Sequence, residues 1–541
     1  MSTFNELIDF TRSTTGTYLD SVVYGDELVT NGDFATDSDW TKGAGWTISG
    51  GKANQSGGSN FGDLSQYVAT TAGKTYLLTA QVSSYVTGEI DVKPSTVSAN
   101  WFSGNGTIRH IFVALGTTTR IDADPRNSQP FTGSIDNISV KEVIGGQVSG
   151  TPLLRTAAIN EPRLEYDASG NPLGLLIEEA RTNLVTYSDL SSGWNWVNTT
   201  DIGGAATAPD GTQTATLMRE NTAGTAHIAF AAIVSASTST TASIFAKAGG
   251  RRYLQLTDST NQPNWAMFDL EQGVVTEQKS SGITATIEPY GNGWYRCNAA
   301  LTLPASGSTT NFVWGSSILA TTNGIRNVYQ GDGTSGIYLW GGQVETGAFP
   351  TSYIPTSGST VTRAADVASV PVERFAFNDT KGSVVVSASS FANLTGSNNG
   401  YVAVLSDGTS NNRMQVVLRD SSQGFITGGL GLLDAGSVAQ SQTTKIAMAV
   451  KTNDAGLSLN GGAVVTATSG NIPSPITDLR LGGRTALDSA TLCGHIKQIQ
   501  YYPKRLSNEE LQLLTQPSAS PTMNLTFDGQ ATSTLVEGLH D

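Results

Sequence analysis

The chain is 541 residues long, which at ordinary domain size predicts roughly three to four domains. Only 14% of its residues are charged, it holds 60 glycines, and its formal net charge is −14. That balance argues against nucleic acid as a partner: a phosphate-binding surface needs clustered Lys and Arg, and the longest basic runs are pairs such as Arg251-Arg252 and Lys504-Arg505. Small polar and β-branched residues suit strands joined by tight turns and do not suit helices, so an all-β fold is expected. Cys297 and Cys493 lie far apart and supply no disulfide scaffold. The start, Met1 to Phe10, has acidic residues and no apolar core, so no secretory leader is predicted. No window has the apolar length of a membrane span, and no membrane insertion is expected.

The first distinctive stretch runs Phe10-Thr11-Arg12-Ser13, then Thr17-Tyr18-Leu19-Asp20. The second runs Pro162-Arg163-Leu164-Glu165-Tyr166-Asp167, then Gly174-Leu175-Leu176-Ile177-Glu178-Glu179-Ala180-Arg181-Thr182-Asn183-Leu184. Together they resemble the opening module of tailed-bacteriophage virion proteins of the tail-fibre and head-fibre kind. In such proteins the two parts are nearly adjacent, whereas here a domain's length separates them. The simplest account is an adaptor or virion-attachment segment, residues 1–24 plus 149–182, from which residues 25–148 are looped out as an independent domain.

That insert opens on Asn31-Gly32-Asp33-Phe34 and closes on Gly133-Ser134-Ile135-Asp136-Asn137-Ile138. Alternating runs such as Tyr76-Leu77-Leu78-Thr79-Ala80 lie between and read as half-buried strands. It resembles the jelly-roll of carbohydrate-binding modules, whose first and last strands lie side by side and so suit insertion. A second jelly-roll is expected over residues 183–362, from Trp194-Asn195-Trp196 through Gly293-Trp294-Tyr295-Arg296-Cys297 to Tyr338-Leu339-Trp340-Gly341-Gly342; these phrases again resemble phage fibre sequences. A third unit over residues 363–515 ends on Tyr502-Pro503-Lys504-Arg505-Leu506-Ser507-Asn508-Glu509-Glu510-Leu511, similar to concanavalin-A-like or laminin-G-like sandwiches. Ser507 and Glu510 form a capping box that starts one short helix. Residues 516–541 read as a tail. The fold class is thus all-β: tandem β-sandwiches, two jelly-rolls and a concanavalin-A-like sandwich, with a small N-terminal adaptor.

Signals for catalysis are weak. The four histidines share no metal-ligand spacing, and no nucleophile elbow or phosphate loop is present. Glu178 and Glu179 are adjacent, so on a strand they point to opposite faces and cannot straddle one glycosidic bond; a salt bridge with Arg181 is expected instead. Sugar binding is better motivated, because sugar C–H faces stack on aromatic rings while Asn, Asp and Gln take the hydroxyls. Candidates are Trp101 with Asn100, Phe102 and Asn105 in a Ser/Gly/Asn-rich loop, and Tyr67. Trp194 and Trp196 form either a platform or one core layer, while Trp40 and Trp46 are expected in the core. Core packing is the commoner fate of every such ring.

The family resemblance implies a non-enzymatic virion structural protein, on a tail fibre, baseplate or head fibre, that adheres to host surface glycans. A polysaccharide depolymerase or its accessory module is the alternative, and a capsid decoration protein is another. The resemblance implies no required cofactor, and places a candidate structural calcium at Asp33 and Asp136. Expected partners are other virion proteins, host surface polysaccharide and further copies of the chain, as a trimer. The expected location is the virion, after assembly in the host cytoplasm.

Overall fold

The computed structural model describes residues 8–20, 23–57, 62–97, 99, 101–144, 152–234, 239–258, 264–279, 281–302, 309–321, 326–392, 394, 399–409, 411–419, 423–426, 431–468, 471–484, 491–517 and 524–527. Strands dominate, joined by turns rich in glycine and asparagine at positive φ. Two compact units result, one holding Val22–Gly150 and the other Met1–Ser21 with Thr151–Val536.

The Val22–Gly150 unit is a sandwich of two antiparallel sheets. A four-stranded sheet has the order Thr41–Lys42, Leu64–Ala69, Thr118–Pro125, Ile90–Pro94. The facing six-stranded sheet is built around the long strands Thr75–Thr87 and Thr132–Ile144. Alternation places Leu64, Val68, Leu78, Ala80, Ile121 and Ala123 between the sheets, where apolar burial drives their association. Trp40 and Trp46 lie in this core, each indole N–H donating to a backbone carbonyl, of Asn31 and Gly62 respectively.

The larger unit contains two sandwiches. The first pairs two six-stranded sheets, one centred on Gly336–Thr346 and Ser239–Gly249, the other on Thr309–Ser317 and Tyr253–Asp258. The second is more widely assembled. Its seven-stranded sheet begins with Asp9–Thr11, which pairs with Val367–Pro371. Its eight-stranded sheet includes Leu164–Tyr166 and Pro172–Ile177, the latter paired with Gly494–Tyr502. Segments set apart in the sequence as an adaptor therefore supply strands to both sheets of the C-terminal sandwich, and Ile8, Phe10, Leu175 and Ile177 belong to its core. The helix Asn508–Thr515 closes this sandwich; Ser507 and Glu510 form the reciprocal capping box that their spacing predicts. The Asn460-Gly461 turn has both residues at positive φ, the hairpin geometry that side chains other than Gly and Asn resist.

Two short strand pairs close the bases of the looped-out segments. Gly16–Asp20 pairs with Leu153–Ala157, bringing Asp20 opposite Leu153. Arg181–Asn183 pairs with Val361–Arg363. Beside them lies a fully buried ion lattice built from the distinctive motifs. Asp366 accepts from Arg12 Nη1 at 3.0 Å, Arg163 Nη2 at 2.5 Å and the Glu178 amide at 2.8 Å. Glu178 meets Arg163 Nη1 at 2.7 Å and Arg363 Nη2 at 3.4 Å, and accepts from the Ser352 amide and hydroxyl. Burial alone would push the Glu178 carboxyl up; Arg363, Arg163 and Ser352 hold it far below the usual carboxylate range. Glu179 points the other way and accepts from Arg181 Nε at 2.6 Å, so the adjacent glutamates serve separate partners.

Candidate functional site

In the Val22–Gly150 unit, the four-stranded sheet turns one face to the core, and the other carries polar and charged side chains, of which Ser65, Asp91 and Asp122 are buried. On strand Leu64–Ala69, Leu64 and Val68 are buried and Tyr67 stands 71% exposed. Arg120 lies directly opposite Tyr67, Asp122 opposite Ser65, and Lys93 opposite Asp122. These outward side chains form a continuous polar lattice. Arg120 Nε lies 2.9 Å from Asp122 Oδ1 and its Nη2 3.4 Å from Asp63 Oδ2, while Lys93 Nζ lies 3.9 Å from Asp124 Oδ2. Burial raises the Asp122 carboxyl, with Arg120 opposing; burial and then Asp63 raise that of Asp124.

Trp101 lies at the far edge of the same sheet. Phe102 and Ile90 exchange backbone hydrogen bonds of 2.8 and 3.0 Å, which anchors the segment beside the strand Ile90–Pro94. Phe102 packs against the core and Trp101 is half-buried. The guanidinium of Arg126, itself paired with Glu89, covers the indole 5.4 Å from its centroid. The face therefore offers an exposed phenol ring at one side, an indole capped by a guanidinium at the other, and alternating carboxylates and cations between. Such groups take hydroxyls in pairs and C–H faces on rings.

The other aromatic candidates are placed differently. Trp194 is buried 5.1 Å from the Trp314 ring, with its indole N–H donating to the Tyr187 carbonyl, and Trp196 packs against the same core. They form one core layer. Asn105 is exposed but accepts from the Tyr85 amide at 3.0 Å, and Asn100 lies outside the described residues. Asp33 is exposed, Asp136 accepts from the neighbouring Asn137 amide, and the Asn31 amide donates to the Thr36 and Ser38 carbonyls in that loop. Among the described residues no three His, Cys, Asp or Glu side chains gather that could hold a metal ion. Asp122, Asp124, Lys93 and Arg120 were not singled out from sequence; their i, i+2 alternation opposite Tyr67 was the available signal.

No protein-family model matches the chain, and no curated protein does. Among solved structures it is similar to the CBM40 of the Ruminococcus gnavus IT-sialidase, at 18% identity over 26% of this chain and 84% of that one, TM-score 0.22. The tandem CBM22-1-CBM22-2 domain of Paenibacillus barcinonensis Xyn10C matches at 11% identity over 60% and 98%, TM-score 0.19. Trypanosoma rangeli sialidase in complex with the inhibitor DANA matches at 11% identity over 87% and 84%, TM-score 0.22. At such scores none of these likenesses carries an argument about this chain, and its all-β architecture rests on the strand pairings above.

Proposed function

We propose that this chain is a non-enzymatic attachment protein of a bacterial virus, and that the outer face of its four-stranded sheet binds neutral glycans of the host surface. The viral assignment is supported by the likeness of the Phe10–Asp20 and Pro162–Leu184 motifs to virion proteins. One observation carries the glycan reading: Tyr67 and Trp101 flank a single sheet face whose middle is Arg120, Asp122, Lys93 and Asp124. The carboxylates Asp63, Asp122 and Asp124 disfavour an acidic sugar, hence a neutral one. A single shallow face binds weakly, so attachment draws on several copies, and a trimer carried by other virion proteins supplies them. Tyr67→Ala and Trp101→Ala are each expected to weaken binding of host polysaccharide roughly tenfold, about 1.4 kcal/mol, with the melting midpoint unchanged. Unaltered affinity in both variants, measured by calorimetry or glycan array, overturns the assignment.

A polysaccharide depolymerase is a second reading, favoured by Glu165 and Glu288 lining one cleft in the larger unit. Burial raises the Glu288 carboxyl and Glu165 raises it further, against Arg296. Shortening of the polysaccharide on incubation, abolished by Glu288→Gln, would establish it.

A further inference from the structure

The strand Ile283–Pro289 ends one sheet of the first sandwich in the larger unit. Ile283, Ala285 and Ile287 face its core, so Thr284, Thr286 and Glu288 face the opposite way. On the neighbouring strand Tyr295–Thr302, Cys297, Ala299 and Leu301 are inward and Arg296 and Asn298 outward. This outer face is roofed by the segment 348–352 and by Phe391 and Gln440 of the C-terminal sandwich, leaving a cleft of about 140 Å³. Thr284, Thr286 and Glu288 keep accessible surface inside it, while Asn298 is 1% exposed.

The floor is built of polar groups with unmet hydrogen-bonding capacity. Asn298 Nδ2 donates to Thr286 Oγ1 and Glu288 Oε1, both at 3.3 Å, and its Oδ1 has no partner. Arg296 Nη2 donates to Ser243 Oγ at 3.0 Å, and its Nε has none. An unpaired buried donor or acceptor costs about 1–3 kcal/mol, so a guest bringing hydroxyls gains where an apolar guest does not. The walls are rings held in place by neighbours: Phe349 under the Arg181 guanidinium at 4.8 Å, Tyr290 edge-on to Phe245 at 4.8 Å, and Phe391 edge-on to His495 at 5.1 Å. Glu165 and Glu288 in the lining disfavour an anion, and Arg296 disfavours a cation.

The geometry points to a second binding site in this cleft, for one neutral, polyhydroxy ring the size of a monosaccharide. It does not rest on the face around Tyr67 and Trp101, which belongs to the other unit, nor on whether a bond is cleaved. Hydroxyls meet Thr284, Thr286, Glu288 and Asn298, and the C–H face lies against an aromatic wall.

Saturation-transfer NMR on the full chain tests it, in a Tyr67→Ala/Trp101→Ala background that removes the first face. Methyl α-glucoside, methyl α-galactoside and methyl α-mannoside are the probes, each at about 10 mM to detect millimolar affinity, with glycerol as the open-chain control. At least one glycoside is expected to show transfer, and Thr286→Val/Glu288→Gln to weaken it about tenfold, for one hydrogen bond lost and one deprived of its charge. Thr284→Val, on the same exposed face, provides a milder variant if the double substitution fails to fold. Absence of transfer from all three glycosides, equal transfer from glycerol, or transfer untouched by the folded variants overturns the proposal.

Discussion

Replacing Asp366 by alanine tests the buried ion lattice most directly. Asp366 accepts three hydrogen bonds, two from guanidinium groups of Arg12 and Arg163, and its side chain and both of theirs have no solvent exposure. Truncation leaves Arg12 without its carboxylate and Arg163 and Arg363 sharing Glu178, in a place where water does not screen them. Removing one partner of such a buried pair costs about 3–5 kcal/mol. Urea is the suitable denaturant, being uncharged and so leaving the ion pairs unscreened. With a slope of about 3 kcal/mol per M, the larger unit's midpoint falls by roughly 1–1.7 M. The Val22–Gly150 transition, followed separately by hydrogen exchange of that unit's own amides, stays where it was. Asp9→Ala breaks the surface pair with Arg374 and is expected to change stability by less than about 1 kcal/mol. A fall no larger than that for Asp366→Ala, or an equal displacement of the Val22–Gly150 transition, would refute the reasoning.

Residues 22–150 expressed alone are expected to unfold in one cooperative transition, matching one of two in the full chain by calorimetry; a broad, non-cooperative melt counts against an independent unit. Acid should act oppositely on two groups. Glu178 is held below its ordinary value of 4.5, so its contribution is present above that pH and lost below it: Glu178→Gln destabilises more at pH 7 than at pH 3. Asp124 is raised above its ordinary 3.8, so its contribution is full below that pH and lost as pH rises through the folded value: Asp124→Asn stabilises at pH 7 and gains little near pH 3.5. Burial pushes both the Cys297 and Cys493 thiols up, so neither should react with a thiol-specific disulfide reagent at neutral pH until the chain is denatured.

The strand content was legible because two-residue alternation survives in runs such as Tyr76–Ala80, and the capping box because Ser507 and Glu510 are only three residues apart. What local patterning does not carry is the partner of a strand. Nothing near Asp9–Thr11 or Pro172–Ile177 announces that they pair with strands more than 300 residues away. Arg12, Arg163 with Glu178, and Arg363 with Asp366 lie in three distant stretches of the sequence, so nothing local marks them as partners in one buried lattice. Tyr67 could be named from sequence, yet its companions Arg120, Asp122 and Lys93 come from two other strands. The alternating Thr284, Thr286 and Glu288 resemble any solvent face; the cleft exists because residues 348–352 and the C-terminal sandwich roof them.

The paired strands at the base of each looped-out segment have a mechanical consequence. A module in the middle of a linear string hangs on one covalent connection at each side, and one cut releases everything beyond it. Here residues 22–150 leave and rejoin their host at Asp20 and Leu153, two positions zipped together. A single nick in an exposed loop of that module leaves both fragments tied to the rest of the chain, and a pull on it loads two backbones in parallel instead of one.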